Sequence, residues 1–105
     1  ARSAALQGAE IFIYPSAWVQ GDMKAVQWKT LLAARAIENG MTVLGCSQYI
    51  KDTFIGQSFA CDPFGRVLAD ADESSQLILV PVTPKDSLRA RHLVPSLKNM
   101  RNDLY

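Results

Sequence analysis

The sequence predicts an α/β fold with a mixed sheet and flanking helices. Three observations carry this expectation. Two short, almost unbroken apolar runs, residues 9–14 and 41–46, have the length and content of strands covered on both faces. Between them, residues 23–39 carry apolar side chains at helical spacing. Further on, two strand-length runs flank the turn Asp62-Pro63-Phe64-Gly65, so part of the sheet pairs antiparallel.

The elements follow in order. Residues 1–7 are rich in good helix formers, and Gly8 stands where a left-handed C-terminal residue belongs, so the chain opens on the end of a helix. The run 9–14 is the first strand, ended by Pro15, which cannot donate to a ladder. Residues 16–22 form a loop that holds Trp18, Gln20 and Gly21, with Asp22 as N-cap of a helix over 23–39. Ala25, Trp28, Leu32 and Ala36 form its buried stripe, with Leu31 beside it, and Asn39-Gly40 stops it. Residues 41–46 form a second buried strand centred on Val43 and Leu44, and 48–55 a polar loop. Strands over 56–61 and 66–71 flank the Pro-Gly turn. An acidic turn leads to a further strand, 76–80. Thr83-Pro84 reads as an N-cap followed by proline at the first helical position, with a helix to about His92, and the remainder is an extended tail.

Composition narrows the function. The chain has 105 residues, 49% hydrophobic and 20% charged, which suits one small folded unit and is too apolar for disorder. The net charge of +1 gives no electrostatic argument for a nucleic-acid or membrane partner. No apolar run approaches the ~20 residues of a membrane-spanning helix, and no signal-peptide core follows Ala1. Cys46, Cys61 and the single His92 match no metal spacing, and so few cysteines make no disulfide framework. These features lead to the expectation of a cytoplasmic chain with reduced thiols, no metal and no cofactor.

Bond-making candidates are sparse. Cys46 and Cys61 lie inside strand runs, where a cysteine is a small buried hydrophobe, and neither has a cationic neighbour to stabilise a thiolate. Ser16 lacks the glycines of a nucleophile elbow, and His92 sits among Arg89, Arg91 and Leu93 as a surface helix residue. Arg35 and Glu38, three apart, read as a helix ion pair. Asp62 is a turn residue, and Asp70, Asp72 and Glu73 lack a calcium-loop spacing. No catalytic residue is assigned from these patterns.

Whole segments say more. Residues 5–11, then Pro15-Ser16-Ala17-Trp18, then 28–39 with Ala34-Arg35-Ala36-Ile37-Glu38-Asn39, resemble the nitrilase (carbon–nitrogen hydrolase) superfamily in order and spacing. So do Gly56-Gln57-Ser58, residues 62–69, and the ending with Arg91, Pro95, Arg101 and Asp103-Leu104-Tyr105.

The resemblance implies the C-terminal portion, over residues 1–105, of a single α-β-β-α sandwich domain whose N-terminal portion is absent. It implies hydrolysis of a small amide or nitrile through a thioester on a cysteine, assisted by a lysine and two glutamates. All four precede the point matched by Ala1, and the family's Cys-x-x-x-Arg-Phe-Pro-Glu segment does not occur in these residues. The chain alone is therefore expected to be inactive. Ser16, Ala17 and Trp18 match a loop that would line the substrate pocket, since sites in α/β layers sit at the carboxyl ends of strands. Arg35, Glu38, Asn39, Arg91, Arg101 and Tyr105 match structural or subunit-interface positions, with a homodimer or higher homo-oligomer as the expected assembly. The alternative reading is a small standalone dimerisation module that keeps the fold.

Overall fold

The computed structural model describes residues 1–104; Tyr105 lies outside them. A short helix α1 (Arg2–Leu6) leads through Gly8, at φ +95°, into strand β1 (Ile11–Ser16). Helix α2 (Lys24–Asn39) returns the chain to β2 (Thr42–Ser47). Two small strands follow, β3 (Tyr49–Ile50) and β4 (Phe54–Ile55), then β5 (Phe59–Cys61), β6 (Val67–Asp70) and helix α3 (Lys85–Leu93). The main sheet has the order β1-β2-β5-β6. β1 and β2 run parallel with α2 as their crossover, and β2-β5 and β5-β6 are antiparallel, so the sheet is mixed as expected. β3 and β4 form a separate antiparallel pair.

α2 packs on β2 and β5. Trp28, Leu32 and Ala36 of the helix meet Val43, Phe59 and Cys61 of the sheet in one core cluster, with Ala5 and Met41 beside them. The approach is close because β2 carries Gly45, where an added Cβ would clash with Leu32 and lie 2.6 Å from Trp28 Cζ2. α2 ends at Gly40, at φ +56°, and Met41 donates its N–H back to the Ala36 carbonyl.

The structure departs from the sequence reading in several places. β1 is not covered on both faces: Phe12 and Tyr14 pack against the core, whereas Ile11, Ile13 and Pro15 are exposed. It also runs through Pro15 to Ser16, because β1 is an edge strand and proline is tolerated where one side of the ladder is open. Asp22 does not cap α2; Met23 stands at the N-cap at φ +61° with no side-chain bond. Leu31 faces water instead of the core. Cys46 is exposed, since it lies on the sheet face opposite α2. The polar loop 48–55 contains β3 and β4, which the turn Lys51-Asp52-Thr53 brings together. Residues 76–80 are extended but pair with no strand among the described residues, and Leu77 and Leu79 are exposed. Pro84 stands at the N-cap of α3 instead of its first helical position.

Candidate functional site

The carboxyl ends of the parallel pair β1 and β2 fall side by side, with Ser16 in register with Ser47. Beyond them the chain of β1 runs along the small β3-β4 pair. The Trp18 carbonyl accepts from the Ile55 N–H at 3.0 Å, Gln20 N–H donates to the Thr53 carbonyl at 2.9 Å, and Val19 bridges to Phe54. Gln48 N–H closes the base by donating to the Ser16 carbonyl at 2.8 Å. The loop 16–20 is thus held by backbone bonds on a three-segment platform. Fixed loops on strand ends are the usual carriers of binding residues.

Two tryptophans support this platform. Trp18 and Trp28 lie with ring centroids 5.4 Å apart. Trp18 Nε1 donates to the Lys24 carbonyl at 2.8 Å, and Trp28 Nε1 to the Gln57 carbonyl at 3.0 Å. Each half-apolar ring therefore has its polar edge satisfied. Lys24 Nζ stands 5.7 Å from the Trp18 ring. Gln57 adopts φ +51°, directly after Gly56 at φ +65°. This joint sets Ser58 Oγ against Ser47, accepting its N–H at 3.0 Å. Of the expected pocket residues, Ser16 and Trp18 are half-buried and Ala17 is exposed. Gln57, Ser47 and Ser58 were not singled out from the sequence as site residues. The segment Gly56-Gln57-Ser58 carries the family resemblance and its glycine hints at the joint, whereas nothing local marks Ser47.

The other expected positions gather elsewhere. Arg35 Nε meets Glu38 Oε1 at 2.7 Å. Asn39 is fully buried and donates Nδ2 to the Arg35 carbonyl at 2.8 Å and to Glu38 Oε1 at 3.2 Å. The Tyr14 hydroxyl lies in the field of this pair; burial pushes its pKa above the ordinary value, the Arg35 charge opposes the rise and Glu38 adds to it. Arg91 reaches from α3 to the same corner, donating Nε to the Asn39 carbonyl at 3.2 Å and Nη2 to the Ala9 carbonyl. Among the described residues, Arg101 pairs with exposed Asp103. Tyr105 lies outside the described residues.

The two cysteines and the histidine stand apart from this platform. Cys61 is buried, and desolvation, with the Asp62 charge adding, pushes its thiol up to about 11, away from any role as a thiolate. Cys46 lies on the opposite sheet face, and His92 is exposed on α3. Among the described residues no group of histidine, cysteine and carboxylate side chains could hold a metal ion, and no helix is long and apolar enough to cross a membrane.

A mixed sheet with flanking helices is also found in solved structures of the nitrilase superfamily. Residues 1–91 match the family model described as carbon-nitrogen hydrolase, and the chain belongs to that family. It is 43% identical over 101 residues to a deaminated glutathione amidase of Escherichia coli O157:H7, a match covering 96% of this chain and 38% of that protein. With a 2-oxoglutaramate amidase of Bacillus subtilis it shares 31% identity over 99% of this chain and 40% of the relative. Among solved structures, a carbon-nitrogen hydrolase from Helicobacter pylori G27 superposes with a TM-score of 0.86 at 26% identity, covering 100% of this chain and 44% of that one. The chain therefore spans less than half the length of these three proteins.

Proposed function

We propose that these residues form the C-terminal α/β layer of an amidase, whose whole protein hydrolyses the C–N bond of a small linear amide, and that they do not catalyse this reaction alone. The observation that carries the reading is the platform of Ser16, Ala17 and Trp18: a fixed strand-end loop with no thiolate and base beside it. The names of the relatives favour an amide over a nitrile. In this reading the loop lines the substrate pocket. The nucleophilic cysteine, the lysine and the two glutamates implied by the resemblance come from the remainder of the domain. The two free thiols suit a reducing compartment such as the cytoplasm.

The assembly we propose is a homodimer or higher homo-oligomer. A dimerisation module without chemistry is the second reading, and the exposed apolar side chains of Ile11, Ile13, Leu77 and Leu79 favour it. Ammonia release separates the two from an autonomous enzyme. The purified 105-residue chain should release none above background from short aliphatic amides, ω-amides of dicarboxylic acids or nitriles. Removing a nucleophile from a concerted catalytic set costs on the order of 10⁶ in turnover. Turnover by the chain alone that Cys46→Ala abolishes would overturn the proposal. Supplying the remainder of a related domain and recovering amidase activity would separate the amidase layer from the bare module.

A further inference from the structure

Lys24 stands where the forces within its own helix do not favour a cation. It is the first residue of α2, at the positive end of the helix, and no acidic residue occupies the first turn. It is nonetheless half-buried, and among the described residues no carboxylate forms an ion pair with it. The other two cations of α2 are matched: Lys29 meets Asp70 at 2.6 Å and Arg35 meets Glu38 at 2.7 Å.

The Lys24 side chain is held in place by the loop that precedes it. Its stem lies along Gly21, where an added Cβ would come within 3.3 Å of Lys24 Cγ. Its ammonium stands 5.7 Å from the Trp18 ring, and its carbonyl accepts the Trp18 indole N–H at 2.8 Å. One residue thus holds Trp18 at the edge through its backbone and at the ring through its charge. The attraction of a cation to a ring reaches to about 6 Å, so this contact is a weak one. It orients the ammonium and takes up little of its capacity to donate hydrogen bonds.

We propose that Lys24 is a specificity-determining residue of the amidase, and that its ammonium receives a carboxylate carried by the substrate at the end away from the scissile amide. This assignment rests on the amidase reading above, in which Trp18 lines the pocket, and names the substrate class: an amide that is also a carboxylic acid. A carboxylate accepts charge-assisted hydrogen bonds from an ammonium, roughly twice as strong as those between neutral groups. The positive end of α2 adds to the field that attracts it. A neutral amide of the same length displaces water from the ammonium and gives no acceptor in return, which sets the two substrates apart.

The whole protein, these residues together with the remainder of the domain, tests this with succinamate and butyramide, two amides of equal chain length with and without a carboxylate. The wild type should hydrolyse succinamate with the higher kcat/KM, and raised salt should shrink that preference. Lys24→Met keeps a stem to pack on Gly21 and removes the charge. It should lower the ratio of the two kcat/KM values by about tenfold or more, through the KM for succinamate, and Lys24→Arg should restore most of the ratio. A wild type that prefers butyramide, or a Lys24→Met variant that slows both substrates alike, would overturn the role of Lys24 and leave the amidase reading standing. A whole protein that releases ammonia from neither substrate would overturn the amidase reading and the assignment with it.

Discussion

Gly45 is the residue on which the contact between helix and sheet turns. It occupies the middle of β2, and Leu32 and Trp28 fill the space where a side chain would be. Gly45→Ala should destabilise the fold by about 1–3 kcal/mol through overpacking, measured by chemical denaturation; an unchanged midpoint would mean that α2 can step back from the sheet. Asp62 makes the Pro-Gly turn more than a chain reversal, since its Oδ1 accepts the N–H groups of Phe64 and Arg66, each at 2.9 Å. The cysteines divide by face. In dilute solution Cys46 should react with iodoacetamide at the rate of an exposed thiol, and Cys61 only on unfolding. Cys61 also predicts a pH dependence. Its thiol is held up to about 11 in the folded chain, against 9.0 ordinarily. Below pH 9 it is neutral in both states and stability is at its full value. Between pH 9 and about 11 only the unfolded chain ionises, so stability falls across that window. Cys61→Ala should flatten the fall, as read from melts at stepped pH; an identical slope in the variant would count against the burial of this thiol.

At the scale of elements, α3 is docked by hydrogen bonds more than by apolar contact. Ser87 Oγ donates to the Glu10 carbonyl at 2.9 Å, Arg91 donates to Asn39 and Ala9, and Ser96 Oγ donates to the Glu38 carbonyl at 2.9 Å. Three side chains of one segment thus meet the backbone at the start of β1 and the end of α2. Gly40 admits Arg91, since a Cβ there would lie 2.7 Å from Arg91 Cγ. Arg91→Ala leaves two carbonyls without these donors and should cost about 1–3 kcal/mol. Amide hydrogen exchange should then accelerate over residues 85–97 and stay slow in β2 and β5; uniform acceleration would show that α3 does not open as a separate unit. The segment 76–80 shows the opposite condition. Its apolar residues suit a strand, but among the described residues it has no neighbour to pair with, and a strand exists only through its ladder.

For the whole molecule, one α/β layer with a bare apolar face is an incomplete solution to burial. A layer architecture closes both faces of a sheet that carries apolar residues on each. In the homo-oligomer proposed above, folding and association are linked, and the melting temperature should rise with protein concentration. A midpoint constant over a hundredfold range of concentration would argue that the layer is stable with its face open.

What the sequence by itself determined is what short-range physics encodes. Helical spacing placed α2, Gly8 and Gly40 marked helix ends that need a left-handed residue, and Asp62-Pro63-Phe64-Gly65 specified its turn. The segment order also sufficed to place the chain among carbon–nitrogen hydrolases. Only the tertiary structure decided which strand would be an edge, and so that Pro15 could stay in β1 and that Ile13 and Cys46 would be bare. It alone paired β3 with β4 beneath the loop, withheld a partner from 76–80, and joined Arg91 to the Asn39 carbonyl across the chain. The reason is one of range. Apolar content states that a residue can be buried, whereas burial itself depends on whether another layer arrives, and that is set by contacts between segments far apart in the chain.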